Sequence, residues 1–364
     1  MNDGARVAGN LEAANRPRLN GRRGPHLPRP AHAAFSDRGG ATYAALDLGT
    51  NNCRLLVARP AGEGFRVVDA FSRIIRLGEG VSISGRLSDA AVMRAVEALR
   101  VCRDKMKNRG VTRARLIATE ACRMAANCDD FCAQVREEVG LDLEIVDRET
   151  EARLAAIGCT PLIDPGADGV ILFDIGGGSS ELVRLGPPEP AGRGPPRPRI
   201  KSWVSLPVGV VTLAERHGGV KVTRALFETM VEEISEYVDR FAAENGRNVG
   251  GLHLLGTSGT VTTIAGVHLD LPRYDRRRVD GCWMSGLEVT GVVERLMDMS
   301  YEDRAANPCI GADRADLVLA GCAILEAIRR AFPCERLRVA DRGLREGILI
   351  ELMRADGAWE QRTA

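Results

Sequence analysis

The sequence predicts an α/β fold in two similar halves, and three observations carry the prediction. Leu46-Asp47-Leu48-Gly49-Thr50-Asn51-Asn52 closes an extended apolar start. Phe173-Asp174-Ile175-Gly176-Gly177-Gly178-Ser179-Ser180-Glu181 follows Val170-Ile171-Leu172 in the same way. Each puts an aspartate at the end of a strand pattern and then glycines, which let backbone N–H groups approach a bound oxyanion. After each turn, strands and amphipathic helices alternate, which favours layered α/β domains over a sandwich or a bundle. A third turn, Gly256-Thr257-Ser258-Gly259-Thr260, follows another apolar run. The turns predict an enzyme that handles phosphate.

Each half reads in order. Residues 1–41 form a basic tail, expected to be disordered: Arg16-Pro17-Arg18, Arg22-Arg23-Gly24-Pro25 and Pro28-Arg29-Pro30 have no apolar period. Strands are expected at 43–48 and 53–58, and a third over 65–76. A helix is expected over 89–107, where Val92, Val96, Leu99 and Cys102 recur at helical spacing and Gly110 follows. A strand at 115–118, a helix at 127–139 closed by Gly140, a strand at 143–146 and a helix at 148–158 complete the half. The second half restarts with strands at 169–174 and 182–185 around its turn. A Pro/Gly/Arg-rich loop follows at 186–199, then a strand at 201–207 and a long helix at 222–245. A strand at 251–256 leads into a turn and helix at 257–269. An extended piece is expected at 277–283, and helices at 285–299 and 312–332. The half closes with a strand at 336–339 and a helix at 344–353, and 358–364 is a flexible end. Trp203 and Trp283 are expected to pack within strands.

The length of 364 residues suits two domains, and 45% hydrophobic content is ordinary for a globular chain. A formal net charge of +1 gives no overall polycation, so no nucleic-acid partner is expected. There is no apolar run of the roughly 18 residues a membrane span needs, and no membrane partner is expected either. The 10 cysteines include no Cys-x-x-Cys pair and read as reduced thiols, which places the protein in the cytoplasm. His26 and His32 lie in the tail, and His217, His253 and His268 have no catalytic setting. Chemistry is therefore expected on carboxylates with metal help.

The two aspartate–glycine turns, taken with Ala118-Thr119-Glu120-Ala121-Cys122-Arg123 and Asn127, Glu151-Ala152-Arg153, the 256–260 turn and Asp341-Arg342-Gly343-Leu344-Arg345-Glu346-Gly347, resemble the Ppx/GppA phosphatase family over residues 42 to 356. The resemblance implies duplicated actin-like ATPase (ribonuclease H-like) domains, 42–167 and 168–357, with an interdomain cleft. It implies an exopolyphosphatase that releases orthophosphate from inorganic polyphosphate. The alternative substrate is guanosine pentaphosphate, in a stringent-response role. It further implies Mg²⁺, with Mn²⁺ as the other ion, and a homodimer.

By the same resemblance Glu151 activates water, with Asp174 and Arg123 also catalytic. Asp47, Asp174 and Glu181 serve the metal. Gly49, Thr50, Asn51, Asn52, Gly176, Gly177, Gly178 and Ser179 cradle phosphate, as do Gly256, Ser258 and Gly259. The residues alone also allow turn aspartates that bond their own backbone and a glutamate favoured by a helix N-terminus.

Two departures from the family stand out. The family's Ser-Gly-x-Glu-Glu-Ala is Asp147-Arg148-Glu149-Thr150-Glu151-Ala152 here, and no counterpart is expected of the helical region that longer members add. A sugar or acetate kinase on the same fold, and a non-catalytic binder of polyphosphate or alarmone, are the competing classes.

Overall fold

Strict alternation of buried residues fixes the first sheet. Ala44, Leu46, Leu48, Leu55 and Val57 enter one apolar cluster, while Tyr43, Ala45, Leu56 and Ala58 enter another on the opposite face. A strand with period-two side chains and both faces covered produces this split. The computed structural model describes residues 40–246 and 248–360. Most of the predicted tail lies outside them, with His26 and His32, as do residues 361–364.

The first half contains β1 (Tyr43–Leu48), β2 (Asn52–Ala61), β3 (Gly64–Ile74), α1 (Val81–Ser84), α2 (Asp89–Asn108), β4 (Arg113–Ala118), α3 (Glu120–Met124), α4 (Cys128–Val139), β5 (Glu144–Ile145) and α5 (Arg148–Cys159). The second contains β6 (Gly169–Ile175), β7 (Ser180–Glu189), β8 (Arg197–Leu206), α6 (Val210–His217), α7 (Arg224–Asn245), β9 (Leu252–Thr257), α8 (Gly259–His268), α9 (Arg276–Val279), β10 (Trp283–Ser285), α10 (Gly286–Asp298), α11 (Tyr301–Ala306), α12 (Val318–Ala331), β11 (Arg336–Ala340) and α13 (Leu344–Ala355). The strand orders are β3-β2-β1-β4-β5 and, read the same way, β8-β7-β6-β9-β11-β10. Both sheets begin with an antiparallel meander and continue with parallel strands, and the second ends on β10, antiparallel to β11. Among the described residues no helix is long and apolar enough to cross a membrane.

The two halves exchange a helix. Ala152, Ala156 and Cys159 of α5 pack on Val170, Leu172 and Val183 of the second sheet. Ile348, Leu349 and Met353 of α13 pack on Tyr43, Leu56 and Ile117 of the first. The two helices also touch each other closely. A Cβ on Gly158 would lie 2.0 Å from the Gly343 carbonyl oxygen, and one on Gly347 would lie 2.0 Å from that of Leu154. These helices form the layer between the sheets.

Several expectations change. The predicted loop at 186–199 is mostly strand, since β7 runs to Glu189 and β8 starts at Arg197. Pro187 and Pro188 are tolerated because β7 has there run past its pairing with β6 and its register against β8 shifts between Gly186 and Glu189, and Pro198 because β8 is an edge strand. The stretch 277–283 is not extended: Asp275 accepts a hydrogen bond from Arg277 N at 2.9 Å and starts α9, and only Trp283–Ser285 is strand. Trp203 is 38% exposed rather than packed. Trp283 does sit in a strand, edge-on to His253 with ring centroids 4.9 Å apart. The end expected to be flexible is held at Trp359, which is buried and donates to the Gly64 carbonyl at 2.9 Å.

Candidate active site

The two aspartate turns are built alike and meet. In β1–β2 Asp47 pairs with Arg54, and in β6–β7 Asp174 pairs with Glu181. Gly49 N closes the first turn on Asn52 O at 2.9 Å, and Gly176 N closes the second on Ser179 O at 3.0 Å. A Cβ on Gly177 would fall 2.9 Å from Thr50 Cβ, and one on Gly178 would fall 2.9 Å from Thr50 Oγ1. Only glycine lets the second turn come this close to the first.

Together they open on a cavity of about 610 Å³, within the usual range for a small-molecule site. Asp47, Gly49 to Asn52, Glu151, Asp174, Gly176 to Ser179, Glu181, Ser258 and Gly259 all line it. Two sequence-predicted residues do not. Gly256 lies beneath the surface, where a Cβ would meet the Phe173 ring at 2.5 Å, so its glycine serves packing rather than phosphate. Arg123 stands behind Glu151 and donates Nη2 to Glu151 Oε2 at 2.8 Å.

Glu151 projects from the first turn of α5, whose N-cap Asp147 accepts from Thr150 N at 2.7 Å. Burial pushes its carboxyl up to about 7, against the lowering pull of Arg123 and with the charges of Asp47 and Asp174 adding to the rise. Burial and then Asp47 raise Asp174 to about 6. Burial also raises Asp47. Glu181, which accepts from Ser205 Oγ at 2.8 Å, is raised well above the usual range by burial and by Glu151 and Asp174. Four carboxyl groups thus crowd one cavity and resist ionising together.

The sequence reading missed Glu120, although its motif was visible. Glu120 is buried, accepts Arg123 Nη2 at 2.6 Å and Arg148 Nη2 at 2.6 Å, and lines the cavity. Burial alone would raise it, but the two guanidinium groups outweigh that and hold it below the usual range. Cations add to the site. Arg54, Arg314 and Arg345 line the cavity, and their side chains make no hydrogen bond or ion pair to any described residue. Arg345 belonged to the 341–347 motif, and Arg54 directly follows the first turn.

Three buried polar atoms here have no partner among the described residues: Asn51 Oδ1, Asn52 Oδ1 and Ser258 Oγ. Ser258 also holds φ 93° and ψ −176° at the start of α8, a region that costs a side-chain-bearing residue about 1–3 kcal/mol. Ser258→Gly is therefore expected to raise stability by about 1 kcal/mol, after glycine's own entropy cost of roughly 0.5–1 kcal/mol. Thermal unfolding checks this, and a lower melting temperature would refute strain at this turn.

Glycine turns, guanidinium groups unpaired among the described residues and crowded carboxyls together have the chemistry that suits a phosphate-bearing polyanion, on an α/β scaffold. The chain belongs to the Ppx/GppA phosphatase family, whose model matches residues 56–356. It is similar to exopolyphosphatase 2 of Mycobacterium tuberculosis, 28% identical over 331 residues and covering 85% of this chain and 98% of that one. It is also similar to a guanosine-5'-triphosphate,3'-diphosphate pyrophosphatase of Aeromonas hydrophila, 27% identical over 312 residues and 85% of this chain. Of that relative's length this chain spans 59%. Among solved structures it resembles the Ppx/GppA family member of Aquifex aeolicus, with a TM-score of 0.71, 26% identity and coverage of 87% of this chain and 98% of that one. An exopolyphosphatase-like protein gives a TM-score of 0.76 at 27% identity, covering 86% and 98% of the two chains.

Proposed function

We propose that the protein is an exopolyphosphatase that hydrolyses the terminal phosphoanhydride of inorganic polyphosphate and releases orthophosphate. The observation that carries this is Glu151, a largely buried carboxyl raised to about 7 and facing a cavity lined by phosphate-suited turns and by arginines unpaired among the described residues. A water oxygen forms a bond to the terminal phosphorus, and its proton passes to Glu151. The bond to the bridging oxygen breaks, and the electron pair stays with the shortened chain. The N–H groups of the 49–52 and 176–179 turns other than those of Gly49 and Gly176, which close the turns, offset charge on the transferring and leaving groups together with Arg54 and Arg345. The halves 42–167 and 168–357 are two copies of an actin-like domain, a reading that rests on their matching strand orders.

Mg²⁺, or Mn²⁺, fits the oxygen-only donors at the cavity. Among the described residues no three carboxylates or other ligands converge as a ready-made ion cage. Mg²⁺ prefers one or two carboxylates, here Asp47 and Asp174 with Glu181 behind, completed by water and substrate phosphate. When bound it neutralises charge on phosphoryl oxygens.

The raised carboxyls give this a pH signature. Asp174 has its folded value, about 6, above the usual 3.8. Its contribution to stability is full below the unfolded value and lost as pH rises through about 6. A divalent ion removes that penalty. Mg²⁺ is expected to raise the melting temperature more at pH 8 than at pH 5, and an equal shift at both would rule out ion binding at these carboxylates.

The second reading, removal of the 5′-γ-phosphate of guanosine pentaphosphate, is favoured by the apolar part of the same cavity, where Tyr274, Pro308, Ile310 and Val318 suit a nucleoside. Mg²⁺-dependent phosphate release from both substrates, measured side by side, separates the two. Release from neither overturns the hydrolase reading.

A further inference from the structure

A second cavity, of about 500 Å³, lies on the other side of the Glu151 wall. It is lined by Arg123, Met124, Asp147, Arg148, Glu149 and Trp203, and so draws on both halves of the chain. One layer of side chains separates it from the main cavity. Arg123 faces the outer space while its Nη2 bonds Glu151 and Glu120, which face the inner one. We propose that this outer cavity is the exit for orthophosphate, with the Arg123–Glu151 pair as its gate and Arg148 as the guide on its far side. The proposal rests on the hydrolase reading above.

Such an exit would let the shortened chain stay bound between cuts. In-line attack puts water and the remaining chain on opposite sides of the terminal phosphorus. The new phosphate therefore forms beside Glu151, with the shortened chain between it and the rest of the main cavity. Leaving by the way the substrate entered would require the chain to dissociate after every cut. Leaving past Arg123 does not.

The charges in the wall favour passage at the right moment. Glu120 and Glu151 carry two negative charges, Arg123 and Arg148 two positive ones, so the wall is neutral while Glu151 is ionised. Once Glu151 takes the water's proton, the wall is left with one net positive charge. The ion pair at 2.8 Å then loses its charge, and an Arg123 N–H is released toward the phosphate. Arg123 itself stays in place, because Glu120 and the Val146 carbonyl hold it at 2.6 and 2.7 Å.

Beyond it, Arg148 is bound to Glu120 through Nε and Nη2 only, and its Nη1 has no partner among the described residues. Its side chain is 44% exposed. Asp147 and Glu149 line the same cavity, and because Arg123 and Arg148 are already balanced by Glu120 and Glu151, the outer space is net negative and does not retain a dianion.

Met124, 44% exposed at the mouth, is the place to test it. In the full chain with Mg²⁺ and long polyphosphate, Met124→Trp narrows the exit without touching the reacting groups. Phosphate is followed in a single turnover by rapid quench and then at steady state. The expected result is a single-turnover rate within about twofold of the parent, a burst of one phosphate per enzyme and a steady-state rate about fivefold lower or more. Intermediate chain lengths should accumulate as the enzyme begins to let go between cuts. Met124→Gln, which keeps the size, should show none of these, and Trp203→Ala combined with Met124→Trp should restore the steady-state rate. An unchanged steady-state rate in Met124→Trp, or an equal fall in both rates, overturns the exit. If the parent protein releases no phosphate in the single turnover, it is the hydrolase reading that fails, and the exit with it.

Discussion

Glu151→Gln is expected to lower phosphate release by about 10²- to 10⁴-fold, the usual worth of a positioned general base, while polyphosphate still binds. Two glutamates adjoin Arg123 at the cavity, and their environments separate their roles. Glu120 receives four N–H bonds from Arg123 and Arg148, is held below the usual range and is a poor proton acceptor. Glu151 receives one, from Arg123, and is raised to about 7 by burial and by the neighbouring aspartates. A base whose value lies near the working pH combines the correct protonation state with driving force.

The amide keeps the size of the side chain and an oxygen for Arg123, so the fold and the binding surface survive. Activity of the parent should rise with pH through the value of Glu151 and then level, because only the ionised carboxylate accepts the proton. Bound Mg²⁺ moves that rise to lower pH. Glu120→Gln should lose less rate and more stability, since it leaves two buried guanidinium groups without their carboxylate. A loss of affinity in Glu151→Gln with an unchanged single-turnover rate would place Glu151 in binding rather than in proton transfer.

What the sequence reveals of this site follows from the range of each signal. Asp47 and Asp174 are legible because a strand pattern, an aspartate and glycines are adjacent in the chain, and the structure places both on one cavity. Glu151 is reached only through a resemblance, since a first-turn glutamate is ordinary by itself. Glu120 escapes because α3 has five residues, too few to show a period, and burial of a carboxylate depends on Arg148 arriving from 28 residues away. Arg276, which lines the cavity and donates to Glu346 at 2.8 Å, escapes because the stretch that follows it reads as extended, whereas Asp275 starts a short helix there. Gly256 misleads in the opposite sense: a glycine beside a phosphate-type turn is here set by the Phe173 ring. The exchange of α5 and α13 leaves no local trace at all. An apolar helix face declares that it will be buried but not against which sheet.

That exchange sets the second large expectation, Gly158→Ala. The new Cβ would lie 2.0 Å from the Gly343 carbonyl oxygen and 3.0 Å from Gly347 N. These are backbone atoms, so no side chain can rotate away, and α5 and α13 must separate. Overpacking a well-filled interior costs about 1–3 kcal/mol and occasionally more, and a backbone obstacle belongs at the upper end. Separation also draws on both neighbouring clusters, because α5 packs on the second sheet and α13 on the first. It further disturbs the Thr257 Oγ1 bond to the Arg342 carbonyl at 2.6 Å, one residue before Ser258. A loss of about 3 kcal/mol is therefore expected in chemical denaturation, together with reduced activity in the fraction that stays folded. Gly291→Ala is the control, because a Cβ there meets nothing within 4 Å in the exposed part of α10, and replacing a helical glycine should be neutral or stabilising by up to about 1 kcal/mol. Equal stability of the two variants would show that α5 and α13 are free to slide past each other, and the layer between the sheets would then be a loose joint rather than a fixed crossing.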